Sequence, residues 1–399
     1  MRRPRPDSLP VAALLTALVA FGPISTDMYL PSLPALVVAF DTDVPTVQLT
    51  LSAFLVAFAV SMLVYGPLSD RFGRRPVLLG AVALYVLASV ACAVAPSIDW
   101  LIGARVAQAI GCCAGPVLGR AVVRDVYGRE RAAAVLSYMG TAMALAPAIG
   151  PILGGWLQVT FGWQATFWVL TVFSGLALLG VALMLDETNA HRNPDATSLR
   201  GIITNYTALL RHRVYVGYVA TISACYSVIF CFISGSSFVL IEVVGLSPDL
   251  YGYGFATIVL GYMTGTFLSG RYGRRVGVER MILAGGALTT AAGLVMAAFA
   301  WADVVTVATI VLPQMVAMIG VGLVFPNSQA GAIGPFPTMA GSASALLGFC
   351  QMGIAAAVGL AIGHAFDGTA RPMATGVAVT GGLTLLFFWT IVWPARTRG

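Results

Sequence analysis

Apolar stretches of about twenty residues alternate with short polar breaks along the whole of this 399-residue chain, and each stretch is long enough to cross a bilayer as a helix. Read between charges and turn residues, they predict six spans near Leu9 to Leu30, Val47 to Leu68, Pro76 to Ala95, Trp100 to Val123, Ala132 to Val159 and Trp163 to Leu185. Six more are expected near Val214 to Val239, Leu250 to Ser269, Met281 to Ala300, Val304 to Phe325, Ala340 to Ile362 and Met373 to Val392. Between the two sets the composition turns polar, which predicts an N-terminal six-helix half at 1–187, a linker at 188–212 and a C-terminal six-helix half at 213–399. Within the linker, Leu199 to Leu210 fits a short helix on the membrane surface, anchored by Arg200, Arg211 and Arg213, as well as it fits an unstructured tether.

The composition points the same way. With 58% hydrophobic and 10% charged residues, a water-soluble globule would lack the polar surface to cover itself. The expectation is therefore an all-α membrane protein of twelve transmembrane helices whose partner is the lipid bilayer. The net charge of +6 comes from arginine alone, without lysine, in short clusters between apolar runs, a pattern of membrane-surface anchors and not of nucleic-acid binding. The six cysteines sit inside apolar runs without metal-ligand spacing, so they read as reduced packing residues, and no metal or other cofactor is expected. Arg2, Arg3 and Arg5 before the first apolar run imitate a secretory signal, but no A-x-A site follows ahead of a soluble domain, so the run reads as a retained span.

One set of loops carries Arg71, Arg74, Arg75, Arg129, Arg131, Arg192, Arg200, Arg211, Arg213, Arg271, Arg274, Arg275 and Arg280. The alternate loops carry Asp41, Asp43, Asp99, Glu242, Asp249, Asp303 and Asp367, with Arg371 the one basic residue. This asymmetry places the first set, and both termini, on the cytoplasmic side. The run Leu68 to Arg75, LSDRFGRR, recurs as LSGRYGRR at Leu268 to Arg275, an internal repeat that supports two related halves with a substrate site between them.

Ionisable groups inside spans are costly and are functional candidates by default. Asp27 and Arg105 qualify: Asp27 lies six residues before Leu33, and Arg105 six after Asp99. At 1.5 Å per residue both sit roughly 9 Å below the same surface. They are expected to form an ion pair that a proton switches, or else a permanent helix-to-helix bridge. His364 and Asp367, at the end of the eleventh span, fit a second proton site or an exposed loop.

Two motifs add specificity. GPLSDRFGRRP, Gly66 to Pro76, resembles the signature loop of the major facilitator superfamily. Here Gly66 would allow close helix approach, Gly73 a tight reversal, and Asp70 with Arg71, Arg74 and Arg75 a charge network able to latch one half against the other. The alternative is that the arginines set topology alone. The second copy has Gly270 in place of Asp70, so any latch is asymmetric. APAIGPILGG, Ala146 to Gly155, resembles the motif that marks drug/proton antiporters in that superfamily. Pro147 and Pro151 remove backbone donors one turn apart, while Gly150 and Gly154, followed by Gly155, make a close-packing face that would seal the cavity from outside.

STDMYLP at Ser25 to Pro31, RVAQAIG at Arg105 to Gly111, VRD at Val123 to Asp125 and GSASALL at Gly341 to Leu347 resemble the Bcr/CflA drug-resistance family. That resemblance implies the major facilitator fold and a proton-coupled antiporter exporting small, largely apolar drugs such as bicyclomycin, chloramphenicol or florfenicol across the bacterial inner membrane. It carries the acid over to Asp27 and the motif arginine to Arg105. The driving force would be the proton gradient and the functional unit a monomer. Gln314 takes the place that matches Arg105 in the tenth span. Tyr29, Gln108, Cys112, Tyr226, Phe230, Gln314 and Met318 are candidates to line a drug cavity, although such residues also pack without binding anything. A nutrient or metabolite transporter on the same fold is the alternative. An enzyme is not expected, since no HExxH, nucleophile elbow or P-loop occurs.

Overall fold

The computed structural model describes residues 8–189 and 194–394. Arg2, Arg3, Arg5 and Arg192 lie outside the described residues, as do the side chains of Arg129, Arg131, Arg200 and Arg274. Ten helices are long and apolar enough to cross a membrane, and a pair bent by 42°, Leu9–Val19 with Phe21–Ala39, makes an eleventh span. The helix Pro248–Val276, of 29 residues, is rich in glycine and polar residues; it packs between the fifth and tenth spans and completes twelve.

In chain order the others are Val44–Phe72, Arg74–Ala93, Ile98–Tyr127, Met143–Phe161, Gln164–Met184, Arg213–Val243, Val278–Trp301, Val307–Ile333, Ala340–Ala365 and Arg371–Val392. The fourth and fifth spans belong to one helical run, Ile98–Phe161, where the arginine pattern predicts a loop. That run must still turn back on itself. Gly115 lies on Leu18 and Gly154 on Met28, whereas a straight helix would carry positions 115 and 154 about 58 Å apart. Within the linker, Leu199–Arg211 is helical, not an unstructured tether.

Proline accounts for the broken first span. Pro23 has no N–H for the carbonyl of Val19 and its ring crowds that carbonyl, so the helix ends at Val19 and resumes at Phe21. Pro31 does the same to Asp27, where the α-helix Phe21–Asp27 stops and a 3-10 turn, Leu30–Ser32, follows. Such backbone survives at membrane depth only where neighbouring protein supplies hydrogen-bond partners.

The two halves join at the end of the bundle that carries the acidic loops. Gln48 Nε2 donates to the carbonyl of Ser234, and the eleventh span lays Gly363 on Gln48, Gly359 on Ser234 and Ser52, and Gly348 on Met62. Across the other seam, Gly155 faces the Pro248 carbonyl and Gly252 faces the backbone of Pro151 and Ile152. Side chains of the first half near this end, including Met28, Leu33, Leu51 and Phe167, share one buried cluster with the second half. Towards the arginine-rich end the first half keeps its own cluster, built on Leu15, Tyr65, Leu78, Leu118 and Val181. The halves are fused at the acidic end; further along they still touch where Gly348 and Met352 of the eleventh span meet Met62 and the first half's cluster.

A side chain added at Gly252 would meet backbone, which cannot swing aside. Gly252→Val is expected to lower the thermal unfolding midpoint in detergent, by overpacking worth about 1–3 kcal/mol. An unchanged midpoint would show that the eighth span does not rest on the fifth.

Candidate functional site

Asp27 is 5% exposed at the end of its short helix. Its carboxylate accepts from Thr26 Oγ1 at 3.0 Å and, among the described residues, has no ion-pair partner. Its Cβ lies 3.4 Å from where a Gly150 side chain would begin, and a Cβ on Gly154 would overlap the Met28 carbonyl. The break in the first span is thus seated on the glycine face of the fifth. Across the seam the carboxylate is within electrostatic reach of Tyr226 and Tyr251, both of the second half.

Arg105 is fully buried, but among the described residues the Asp27–Arg105 ion pair does not form. Its Nη1 donates to the Ser25 carbonyl at 3.1 Å and to Gln108 Oε1 at 2.6 Å, and its Nε to the Thr50 carbonyl at 3.4 Å. The guanidinium lies over the rings of Phe54, Tyr29 and Phe167, at 4.2, 4.8 and 6.0 Å from their centroids. The reason is azimuth. Ser25 faces Arg105, and Asp27, two residues on, is rotated by roughly 200° around the helix. Depth along the membrane normal places the two side by side, while the helical turn points them apart.

Arg105 instead anchors a polar network inside the first half. Gln108 Nε2 donates to Ser89 Oγ at 2.9 Å, Ser89 to the Tyr85 carbonyl at 2.7 Å, and the Tyr85 hydroxyl meets Ser25 Oγ at 2.5 Å. Cys112 lies 3.9 Å from that Ser25 hydroxyl. Tyr29 is buried with its hydroxyl on Thr50 Oγ1 at 2.9 Å. Tyr29, Gln108 and Cys112 thus engage first-half partners: Thr50 for Tyr29, Arg105 and Ser89 for Gln108, and Ser25 for Cys112.

Of the second-half candidates, Tyr226 and Phe230 are brought together. Tyr226 stacks near Phe230 at 5.0 Å and near Phe325 at 6.0 Å, and Tyr251 shares a hydrogen bond with Ser236 at 2.8 Å. Met318 is buried, and Gln314, 1% exposed, has neither amide atom hydrogen-bonded among the described residues. A buried amide without partners is costly, and one kept there suits a ligand that supplies them. Phe325, Tyr251 and Arg120 escaped the sequence reading. Arg120 is a second guanidinium within the fourth span, its Nε on the Pro116 carbonyl at 2.7 Å; it lies close to the expected end of that span.

At the arginine-rich end the signature loop forms a charge network, but it ties to the linker. Arg74 pairs with Asp70 at 2.6 Å and Asp125 at 3.2 Å. Glu187 accepts from the backbone N–H groups of Arg74 and Arg75 at 2.9 and 3.3 Å, capping the third span. Asn189 donates to the Ser69 and Asp70 carbonyls, Arg71 to Thr197 at 2.7 Å, and Arg75 to the Ala182 carbonyl at 2.9 Å. These contacts lie within the first half and the linker, where a latch between halves was expected. Gly73 takes the positive φ of 102° that a tight reversal needs. Gly66 has open space around it, so no helix approaches there. In the second copy the helix runs past Gly273, and Gly277, at φ 91°, makes the turn.

Asp367 lies in the exposed loop after the eleventh span and accepts from the Thr369 hydroxyl at 2.6 Å and its N–H at 3.0 Å. Those bonds, the hydroxyl foremost, hold its carboxyl below the usual range. His364 is likewise exposed, its Nδ1 2.9 Å from the Leu360 carbonyl.

Comparison with known proteins follows this geometry. The family profile described as Major Facilitator Superfamily matches residues 15–360. An uncharacterised MFS-type transporter of Bacillus subtilis (strain 168) is 32% identical over 96% of this chain and 95% of its own length. A bicyclomycin resistance protein homolog of Haemophilus influenzae is 29% identical, covering 92% and 93%. A chloramphenicol resistance protein of Pseudomonas aeruginosa is 31% identical, covering 86% and 80%. In fold, the crystal structure of a D-xylose-proton symporter matches 96% of this chain and 98% of its own, with a TM-score of 0.76 at 14% identity.

Because no described residue satisfies its amide, Gln314→Met is expected to raise the thermal midpoint, by about 1–2 kcal/mol. A lowered midpoint would mean that the amide is already satisfied.

Proposed function

We propose that this chain, which belongs to the Major Facilitator Superfamily, is a proton-coupled antiporter that exports small, largely apolar drugs across the bacterial cytoplasmic membrane by alternating access. Its arginine-rich end and both termini face the cytoplasm, in keeping with the loop asymmetry. It works as a monomer with the proton gradient as its energy source and no cofactor. The names of the relatives from Haemophilus influenzae and Pseudomonas aeruginosa favour antibiotics as substrates.

The observation that carries the reading is the position of Asp27: buried, without a counter-ion among the described residues, and built into the seam that closes the acidic end. An uncompensated aspartate charge in a span costs roughly 3 kcal/mol on insertion scales. A dry, closed seam therefore favours the neutral acid, while an open seam lets water stabilise the carboxylate. Opening towards the outside wets Asp27, which takes up a proton as the drug leaves. The neutral acid lets the seam close and the halves part towards the cytoplasm, and water entering from that side stabilises the carboxylate, so the proton departs there as the next drug enters. Proton and drug occupy the site in alternation, which is antiport. Tyr226, Phe230, Phe325 and Met318 offer ring and sulfur contacts to an apolar ligand, and Gln314 offers one donor and one acceptor.

The test is export from an efflux-deficient host and from vesicles with an imposed pH gradient, using chloramphenicol and bicyclomycin. The wild-type chain should export at least one of them, and an uncoupler should abolish the export. Asp27→Asn should insert normally and lose gradient-driven export to background. Full active export by Asp27→Asn would refute the assignment of the proton to this residue, and saturation by polar metabolites without competition by drugs would refute the substrate class. Asp367→Asn should export as the wild type does at neutral pH, since its loop keeps that carboxyl charged without reference to the seam.

A further inference from the structure

Asp27 is held from both sides by a residue it does not touch. Two positions before it, the Ser25 carbonyl accepts Arg105 Nη1 at 3.1 Å. Two positions after it, the Tyr29 ring lies under the same guanidinium, 4.8 Å from its centroid, with its hydroxyl on Thr50. Residues 25 and 29 fall within roughly 40° of one another around a helix, and residue 27 points the other way. Fixing the first two fixes the third.

The chain needs such a grip at this point. Pro31 cannot donate to the Asp27 carbonyl, so the α-helix ends there, and its last backbone bond runs from Met28 N–H to the Ile24 carbonyl at 3.3 Å. Among the described residues no backbone N–H reaches the Ser25 carbonyl, which is then an orphan at membrane depth, where water does not replace the missing donor. Arg105 supplies that donor, and ring faces shelter its charge. Gln108 fixes the guanidinium and is itself fixed by Ser89.

We propose that Arg105 is a positioning residue: it caps the broken first span and thereby sets the direction in which Asp27 points, instead of exchanging an ion pair or a proton with it. Only the transport consequence rests on the reading of Asp27 given above; the cap stands on its own contacts.

The experiment is hydrogen exchange of the purified full-length chain in detergent, read on peptides covering residues 24–33, together with gradient-driven export. Arg105→Met should speed exchange of the Met28 and Ser32 amides by about tenfold, and Arg105→Lys, which keeps the charge but not the planar fork, by less. Adding Pro31→Ala returns an N–H to the Asp27 carbonyl. The pair Arg105→Met with Pro31→Ala should therefore regain protection and part of the lost export. Exchange unchanged in Arg105→Met would overturn the cap. Protection regained with export still absent would show that the guanidinium's charge takes part in coupling, and would overturn the positioning role. If Arg105→Met fails to accumulate, Arg105→Lys with and without Pro31→Ala carries the same comparison. A failure of Asp27→Asn to lose export would leave the exchange result standing, so the two readings fail separately.

Discussion

A carboxylate buried at membrane depth without a counter-charge constrains everything around it. Asp27 has Thr26 as its hydrogen-bond donor and no ion-pair partner among the described residues, so its ionisation depends on whether water reaches it. It lies against Gly150 of the fifth span, beside the contact of Met28 with Gly154 and next to the line where Gly155 and Gly252 bring the halves into backbone contact. The small residues of the motif permit the closure, and the closure excludes solvent from the acid.

The two intramembrane charges expected to meet are divided between the two faces of one helix. Arg105 works inside the first half, where carbonyls, Gln108 and aromatic rings hold it and its Nη2 has no hydrogen-bond partner among the described residues, while Asp27 lies against Gly150 of the fifth span. This division suits a rocking machine. The first half needs a rigid polar core that moves as a body, and the seam needs one group whose charge can change. Gln48 and Ser234 close the same end through a backbone carbonyl, and such a bond can break without stranding a charge. At the opposite end the charges of Asp70, Arg74 and Asp125 are bound up with Glu187, the last residue of the first half, and with Asn189 at the linker's start, so that network braces the first half against the segment that joins the two.

Much of this was legible in the sequence, because lipid permits few structures. Runs of twenty apolar residues and arginines in alternate loops follow from one-dimensional rules, whereas the break at Pro23 and Pro31 was not read from the first span. The side of a helix on which a residue lies was not legible with the same ease. Depth brought Asp27 and Arg105 together, and 200° of rotation separated them. The broken helix sharpened the difficulty, since periodicity cannot be counted across a turn whose existence depends on a neighbour's donor. Gly66 and Gly273 show the same limit: each matches a motif position, yet one meets open space and the other lies inside a helix that runs on to Val276. Arg120 was missed for a simpler reason, that a charge close to the end of a span resembles an anchor.

Proton release on ligand binding tests the central claim most directly. Purified chain in weakly buffered detergent, mixed with a drug it exports, should acidify the solution as Asp27 gives up its proton, and the Asp27→Asn protein should bind the drug without releasing any. Equal release by both proteins would contradict the account, because the proton exchanged for drug would then come from some other group.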